Sequence, residues 1–234
     1  MSNIRIYNDE IYNNYNKKLN EIYKYISDLS IIAINNVDNE NKIEGNYFSF
    51  NIDSKIDTSN TYKQSTLYHC ALNADLNICE IGFNTGFTSL LILLSRKNIK
   101  STNLLIFDIG EHNYVKPCLE YIKNNFENNE TKINYIEGNS IITLPEYIKT
   151  NPSSIGNFDL IHIDGGHSVE CIINDMRNAD KLIKNNGIII IDDTDDDMIN
   201  HIIELYILSQ KYIEIFLLDL SKCISPHRII KKIK

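Results

Sequence analysis

From Asn77 onward the chain alternates short apolar runs with helix-length segments, and this alternation constrains the fold more than any other feature. The runs NICEIG, LLIFDIG, KINYIEG, FDLIHIDGG and GIIIIDD are separated by FTSLLILLSRK, YVKPCLEYIKNNF, SIITLPEYIK and VECIINDMRNADKLIK. Strand, helix, strand repeated in this way implies parallel strands joined by crossover helices, with both sheet faces covered. After the helical segment MINHIIELYILSQ, the strands IEIFLLDL and HRIIKKIK are separated only by SKCISP. That is short enough for a hairpin, so the last strand is expected to run antiparallel. The expected class is α/β: a doubly wound, seven-stranded, mostly parallel sheet with an antiparallel last strand.

The stretch before this repeat reads differently. Ile11, Tyr15, Leu19, Ile22, Tyr23, Ile26, Leu29 and Ile32 recur at steps of three and four, the period of an amphipathic helix, and predict one helix over Ile11 to Ile34. Asn35 to Asn60 is Asn-, Asp- and Ser-rich, which is loop chemistry with one short extended piece at Tyr47 to Ile52. A second helix is expected near Tyr62 to Leu72. The division that follows is an N-terminal helix with a polar lid or dimer-contact segment over 1–60, and the main domain over 61–234.

Composition narrows the partners. With 31 acidic and 23 basic residues the formal net charge is −8, so no basic field exists to gather phosphate backbones, and nucleic acid is not an expected partner. The basic C-terminal cluster of Arg228, Lys231, Lys232 and Lys234 reads as the solvated end of a last strand. Five cysteines, an odd number with no CxxC pair, fit free thiols in a reducing compartment, and the cytoplasm is the expected location. Neither a secretory signal in the first residues nor an apolar stretch of membrane-spanning length is legible, so no membrane is expected.

In an open α/β sheet, ligands bind beyond the carboxyl ends of the strands, which makes the residues just after each strand informative. The first strand of the repeat ends in Glu80-Ile81-Gly82-Phe83-Asn84-Thr85-Gly86, an ExGxxxG pattern whose glycines admit a ligand close to the backbone. This spacing is not the GxGxxG of dinucleotide sites. The second strand ends in Asp108, placed to accept from ribose hydroxyls, and the third in Gly138-Asn139-Ser140.

Together these motifs resemble the class I S-adenosylmethionine-dependent methyltransferases, over Asn77 to Lys234, roughly two-thirds of the chain. The resemblance implies a Rossmann-like fold with S-adenosylmethionine as cofactor. It further implies that Glu80 and the loop Gly82, Phe83, Asn84, Thr85 and Gly86 hold the methionine part, that Asp108 holds the ribose, and that Asn139 and Ser140 flank the adenine. Family members more often have Asp where this chain has Asn139.

The fourth and fifth strands end in IDGGH and IIIIDDT, placing Asp164, Asp192 and Asp193 at adjacent strand ends where their carboxylates can converge. Three hard oxygen ligands suit Mg²⁺, Mn²⁺ or Ca²⁺ rather than zinc. The arrangement resembles the metal-dependent O-methyltransferases, and IDGGHSVE is similar to the macrocin-type sugar O-methyltransferases; the catechol type usually carries Lys where this chain has His167. The implied cofactors are S-adenosylmethionine with Mg²⁺ or Mn²⁺. Asp164 serves both cofactor cleft and metal, and His167 is the candidate general base, with an ordinary pKa that suits neutral pH.

The competing local readings are that Asp193 and Thr194 cap the helix near Asp195, that His167 caps the helix at Ser168, and that His162 is a satisfied core histidine. His69, His112, His201 and His227 show no ligand spacing and carry no expectation. The expected activity is O-methylation of a small vicinal diol, a sugar or sugar nucleotide foremost, by a possible homo-oligomer. The alternatives are a metal-independent O- or N-methyltransferase and a non-catalytic cofactor-binding subunit. Strand four lacks the [DN]PP[YF] loop of amine-directed enzymes, and an unused site has no physical reason to keep three like charges together.

Overall fold

The computed structural model describes residues 8–37, 43, 48 and 60–234, with the backbone of residues 4 and 5. Seven strands form the expected core: β2 (Asn77–Ile81), β3 (Thr102–Asp108), β4 (Thr131–Glu137), β5 (Phe158–Ile163), β6 (Ile183–Ile191), β7 (Tyr212–Phe216) and β8 (Arg228–Lys232). A two-residue strand, β1 (Ile4–Arg5), adds an edge that the sequence did not announce, giving the order β1-β7-β8-β6-β5-β2-β3-β4. Pairings from β4 through β6 are parallel, and β8 runs antiparallel to both β6 and β7, as its short connection required.

Alternation along the strands explains the two layers. Ile78, Leu104, Ile106, Leu160 and Ile190 pack into one core with α3 (Thr61–Asn73), α4 (Phe87–Arg96) and α5 (Val115–Phe126). Cys79, Ile81, Leu105, Phe107, Ile161, Ile163 and Ile191 face the other core with α6 (Ser140–Thr150), α7 (Val169–Leu182) and α8 (Asp197–Leu208). Successive residues of a strand point to opposite faces, so continuous apolar runs are what a sheet covered on both sides needs. Crossovers leave β2 toward β3 on one side, while β5 lies on its other side, so the strand order reverses between β2 and β5.

The expected single N-terminal helix is two helices, α1 (Asp9–Asn16) and α2 (Leu19–Asn36), broken at Lys17 and Lys18. The break lets each helix bury its stripe against a different neighbour. Tyr15 of α1 donates its hydroxyl to Gln64 of α3 at 2.8 Å, while α2 meets α5 through Tyr121, whose hydroxyl donates to Asp28 at 2.7 Å. The polar segment expected as a lid or dimer contact lies almost wholly outside the described residues, as does the extended piece near Tyr47. Its one described aromatic, Phe48, is buried against Tyr23 and Phe87. Among the described residues no helix is long and apolar enough to cross a membrane. Arg228 departs from a solvated strand end: it is held by Glu214 and Glu204, each at 2.6 Å.

Arg96, at the end of α4, is 1% exposed and donates all its N–H groups. Nε bonds Thr102, Nη1 bonds the Ala71 and Ala74 carbonyls, and Nη2 bonds those of Asp75 and Ser101, all at 2.7–2.8 Å. The guanidinium thus satisfies the orphan carbonyls where α3 ends and the turn into β3 begins. Arg96→Met should lower stability by about 3–5 kcal/mol, because it leaves buried acceptors without donors. The readout is thermal denaturation, with a Tm drop of roughly 10 °C, and Arg96→Lys should recover only part of it. An unchanged Tm would mean that water reaches these carbonyls.

Candidate functional site

The carboxyl end of β2 is shaped by two glycines. Gly82 has φ +93°, its N–H donates to the Phe107 carbonyl at 2.8 Å, and an added Cβ would lie 1.9 Å from the Asp164 carbonyl oxygen. No side chain fits between these strand ends. Gly86, at φ +79°, precedes the first residue of α4, and a Cβ there would meet the Phe83 ring at 2.5 Å. The loop between them is braced from β3: Asp108 Oδ2 accepts from the N–H groups of Phe83 at 2.7 Å and Asn84 at 3.0 Å, and Oδ1 from Gly110 at 2.7 Å.

Above this loop opens a cleft of about 360 Å³. Of the expected site residues, Gly82, Asn84, Asp108, Asn139, Ser140, Asp164 and His167 line it. Glu80, Phe83, Thr85, Gly86, Asp192 and Asp193 do not; Phe83, Thr85 and Gly86 belong to the loop itself, and Glu80 is fully buried at the end of β2. One Glu80 oxygen accepts from the Ser89 hydroxyl of α4, and the other has no partner among the described residues. Burial pushes the Glu80 carboxyl up to about 8, against the Ser89 hydrogen bond. Asn139 caps α6, its Oδ1 accepting from the Ile141 N–H at 3.0 Å.

The sequence reading missed Ile109, Glu111 and His112, which follow β3 directly and line the same cleft, and Cys171 in the first turn of α7. Position alone, just past a strand's carboxyl end, marks the first three. His112 is stacked on Tyr114 with ring centres 4.9 Å apart.

The three expected acids fall into two overlapping groups that share Asp164, and among the described residues no group joins Asp164, Asp192 and Asp193 together. Ligand atoms of Asp164, His167 and Asp193 lie within 4.8 Å of one another, and so do those of His162, Asp164 and Asp192. Neither Asp193 nor Thr194 caps α8, because Asp196 does so, accepting from Met198 at 2.7 Å and Ile199 at 3.2 Å. Ser168, not His167, caps α7. His167 Nε2 instead donates to Asp193 Oδ2 at 2.8 Å, with its side chain 60% exposed.

A group invisible to sequence spacing stands behind this set. Lys63 of α3, with 0% of its side chain exposed, places Nζ 2.6 Å from Asp192 Oδ1. The Asp193 N–H donates to the same oxygen at 2.8 Å, while Asp192 Oδ2 is buried with no partner among the described residues.

The electrostatics follow from this crowding. Burial, with Asp192 and Asp193 beside it, holds the Asp164 carboxyl well above the usual carboxylate range. Burial likewise raises Asp192 to about 6, opposed by Lys63. Burial would raise Asp193 too, but the His167 hydrogen bond and charge outweigh it and hold that carboxyl low. Asp193 in turn lifts His167 above its ordinary value. Burial and the Lys63 charge push His162 down to about 3, so it is a neutral core histidine. Clustered hard oxygens, like-charge repulsion and one orphaned buried oxygen together fit a divalent cation.

Residues 79–194, about half of the chain, match the sequence profile of a family described as a methyltransferase domain. The O-methyltransferase from Bacillus cereus in complex with SAH superposes with a TM-score of 0.56 at 15% identity, over 91% of this chain and 90% of that one. SAH-bound methyltransferase PaMTH1 from Podospora anserina gives 0.53 at 16%, over 74% and 78%. The O-methyltransferase TomG from Streptomyces achromogenes, involved in tomaymycin synthesis and in complex with SAM, gives 0.53 at 13%, over 78% and 83%. At these identities the likeness is one of fold. No curated protein matches the chain in sequence. The matched domain, the strand order and the glycine loop at its reversal point place this chain among the class I S-adenosylmethionine-dependent methyltransferases.

Proposed function

We propose that the enzyme moves a methyl group from S-adenosylmethionine to a hydroxyl of a small vicinal diol, with a divalent ion held by Asp164, Asp192 and Asp193. The observation that carries this reading is the double position of Asp164: it lines the cofactor cleft and belongs to the acidic set, so cofactor and acceptor would meet across one residue. In this reading the loop from Gly82 to Gly86, with Glu80 beneath it, takes the methionine part of the cofactor. Asp108 Oδ1 keeps a lone pair for a ribose hydroxyl, and Asn139 and Ser140 flank the adenine.

The bound cofactor supplies an electrophilic methyl on a sulfonium. A bound Mg²⁺ or Mn²⁺ supplies a Lewis acid that lowers the pKa of a chelated hydroxyl. His167 takes the proton. Its Nε2–H is engaged by Asp193, which fixes the ring and leaves Nδ1 as the accepting atom, and its exposure leaves room for a substrate beside it. The electron pair of the broken methyl–sulfur bond would stay with the cofactor, and His167 would carry away the proton that the acceptor hydroxyl gives up.

A sugar or sugar nucleotide is the acceptor we favour. The IDGGH string supports it, being similar to that of the macrocin-type sugar O-methyltransferases.

Methyl transfer to a panel of diols, sugars and sugar nucleotides, followed with labelled cofactor, tests this. Activity should vanish in EDTA and return with Mg²⁺ or Mn²⁺; full activity in EDTA removes the metal from the mechanism. His167→Ala should lower kcat by about 10²–10⁴-fold with cofactor affinity retained, the usual worth of a positioned general base. Gly82→Ala should lose S-adenosylhomocysteine binding in equilibrium dialysis, because its Cβ would drive β2 and β5 apart at the cleft floor. Retained binding would place the cofactor elsewhere.

A further inference from the structure

Lys63 takes no part in the proposed reaction, yet its contacts are specific. Its Nζ donates to the Ser225 carbonyl at 2.7 Å as well as pairing with Asp192 Oδ1 at 2.6 Å. With the Asp193 N–H on the same oxygen, Oδ1 is doubly engaged, and only the orphaned Oδ2 remains for a further partner. Lys63 sets a buried positive charge against Asp192, as His167 faces Asp193.

We infer that Lys63 is a positioning residue that decides which cation the acidic set accepts, by limiting Asp192 to one donor oxygen. The inference rests on the metal-assisted reading above. Mg²⁺ is small, demands near-octahedral geometry and keeps several waters, so it needs few protein oxygens in fixed places. Ca²⁺ takes about six to eight oxygens at longer range and readily uses a carboxylate through both oxygens. Bidentate use of Asp192 would need Oδ1, which lies under the lysine ammonium. Lys63 therefore favours Mg²⁺ or Mn²⁺ and works against Ca²⁺. A lysine present only to fill buried space would affect stability and leave ion preference alone.

The test is calorimetric titration of Mg²⁺, Mn²⁺ and Ca²⁺ into the full chain saturated with S-adenosylhomocysteine, for the unaltered protein, Lys63→Met and Lys63→Gln. The unaltered protein should bind Mg²⁺ and Mn²⁺ with a Kd at least about tenfold below that for Ca²⁺. Lys63→Met, which keeps side-chain length without charge, should shift the Ca²⁺ to Mg²⁺ affinity ratio toward Ca²⁺ by about tenfold or more while S-adenosylhomocysteine affinity stays within about twofold. Lys63→Gln, with an uncharged donor, should fall between. An unchanged ratio in a folded variant overturns the inference. So does an unaltered protein that binds Ca²⁺ as tightly as Mg²⁺, an outcome that needs no variant to fold. Protein that binds S-adenosylhomocysteine and none of the three ions removes the metal-assisted reading itself, and the inference with it.

Discussion

Two neighbouring parallel strands whose chain connections depart in opposite directions cannot be bridged at their carboxyl ends, and a gap opens above them. Here the pair is β2 and β5, and the gap is floored by the approach of Gly82 to the Asp164 carbonyl. Any side chain at Gly82 would spread the two strands, and the Asp164 carboxylate would no longer stand beside the cleft. The remaining site geometry descends from that approach. Asp108 can reach back to the loop amides because β3 lies in register with β2, and Asp192 and Asp193 arrive beside Asp164 because β6 lies in register with β5.

Charge is the second constraint. Carboxylates collected at adjacent strand ends repel one another, and the chain answers with groups drawn from distant elements. His167, from the turn after β5, takes Asp193; Lys63, from a helix that precedes every strand of the core, takes Asp192. Each partner holds one carboxylate in one orientation. What remains unsatisfied among the described residues is one Asp192 oxygen, with the Asp164 carboxyl held above its usual range beside it.

The parts legible in the sequence were those written by local periodicity. Strand and helix alternation, the antiparallel return of β8 and the tight glycine loop could be read because each depends on residues within one or two consecutive elements. The break between α1 and α2 could not. Tyr15 and Ile22 keep a helical rhythm across it, and only the existence of two separate partners, α3 for one helix and α5 for the other, favours a bend. Lys63 was equally silent, since its spacing to Asp192 is more than half the chain. Asp108 was read as a ribose ligand; its carboxylate also accepts from the backbone amides of Phe83, Asn84 and Gly110, a role that only the loop's conformation reveals.

The placement of β8 has a consequence for the order in which the molecule can assemble. It enters the sheet between β6 and β7, so β7 has no link to the parallel block until β8 is in place. β1 depends on β7 in turn, with Ile4 opposite Ile215. A chain emerging residue by residue can build β2 through β6 as it is made, but this margin of the sheet waits for β8, and β1, made before all of them, docks only after β7 is paired. Thr194, next to the acidic set, hydrogen-bonds the Pro226 carbonyl through both its N–H and its hydroxyl, so that side of the site takes its final form only with that late insertion.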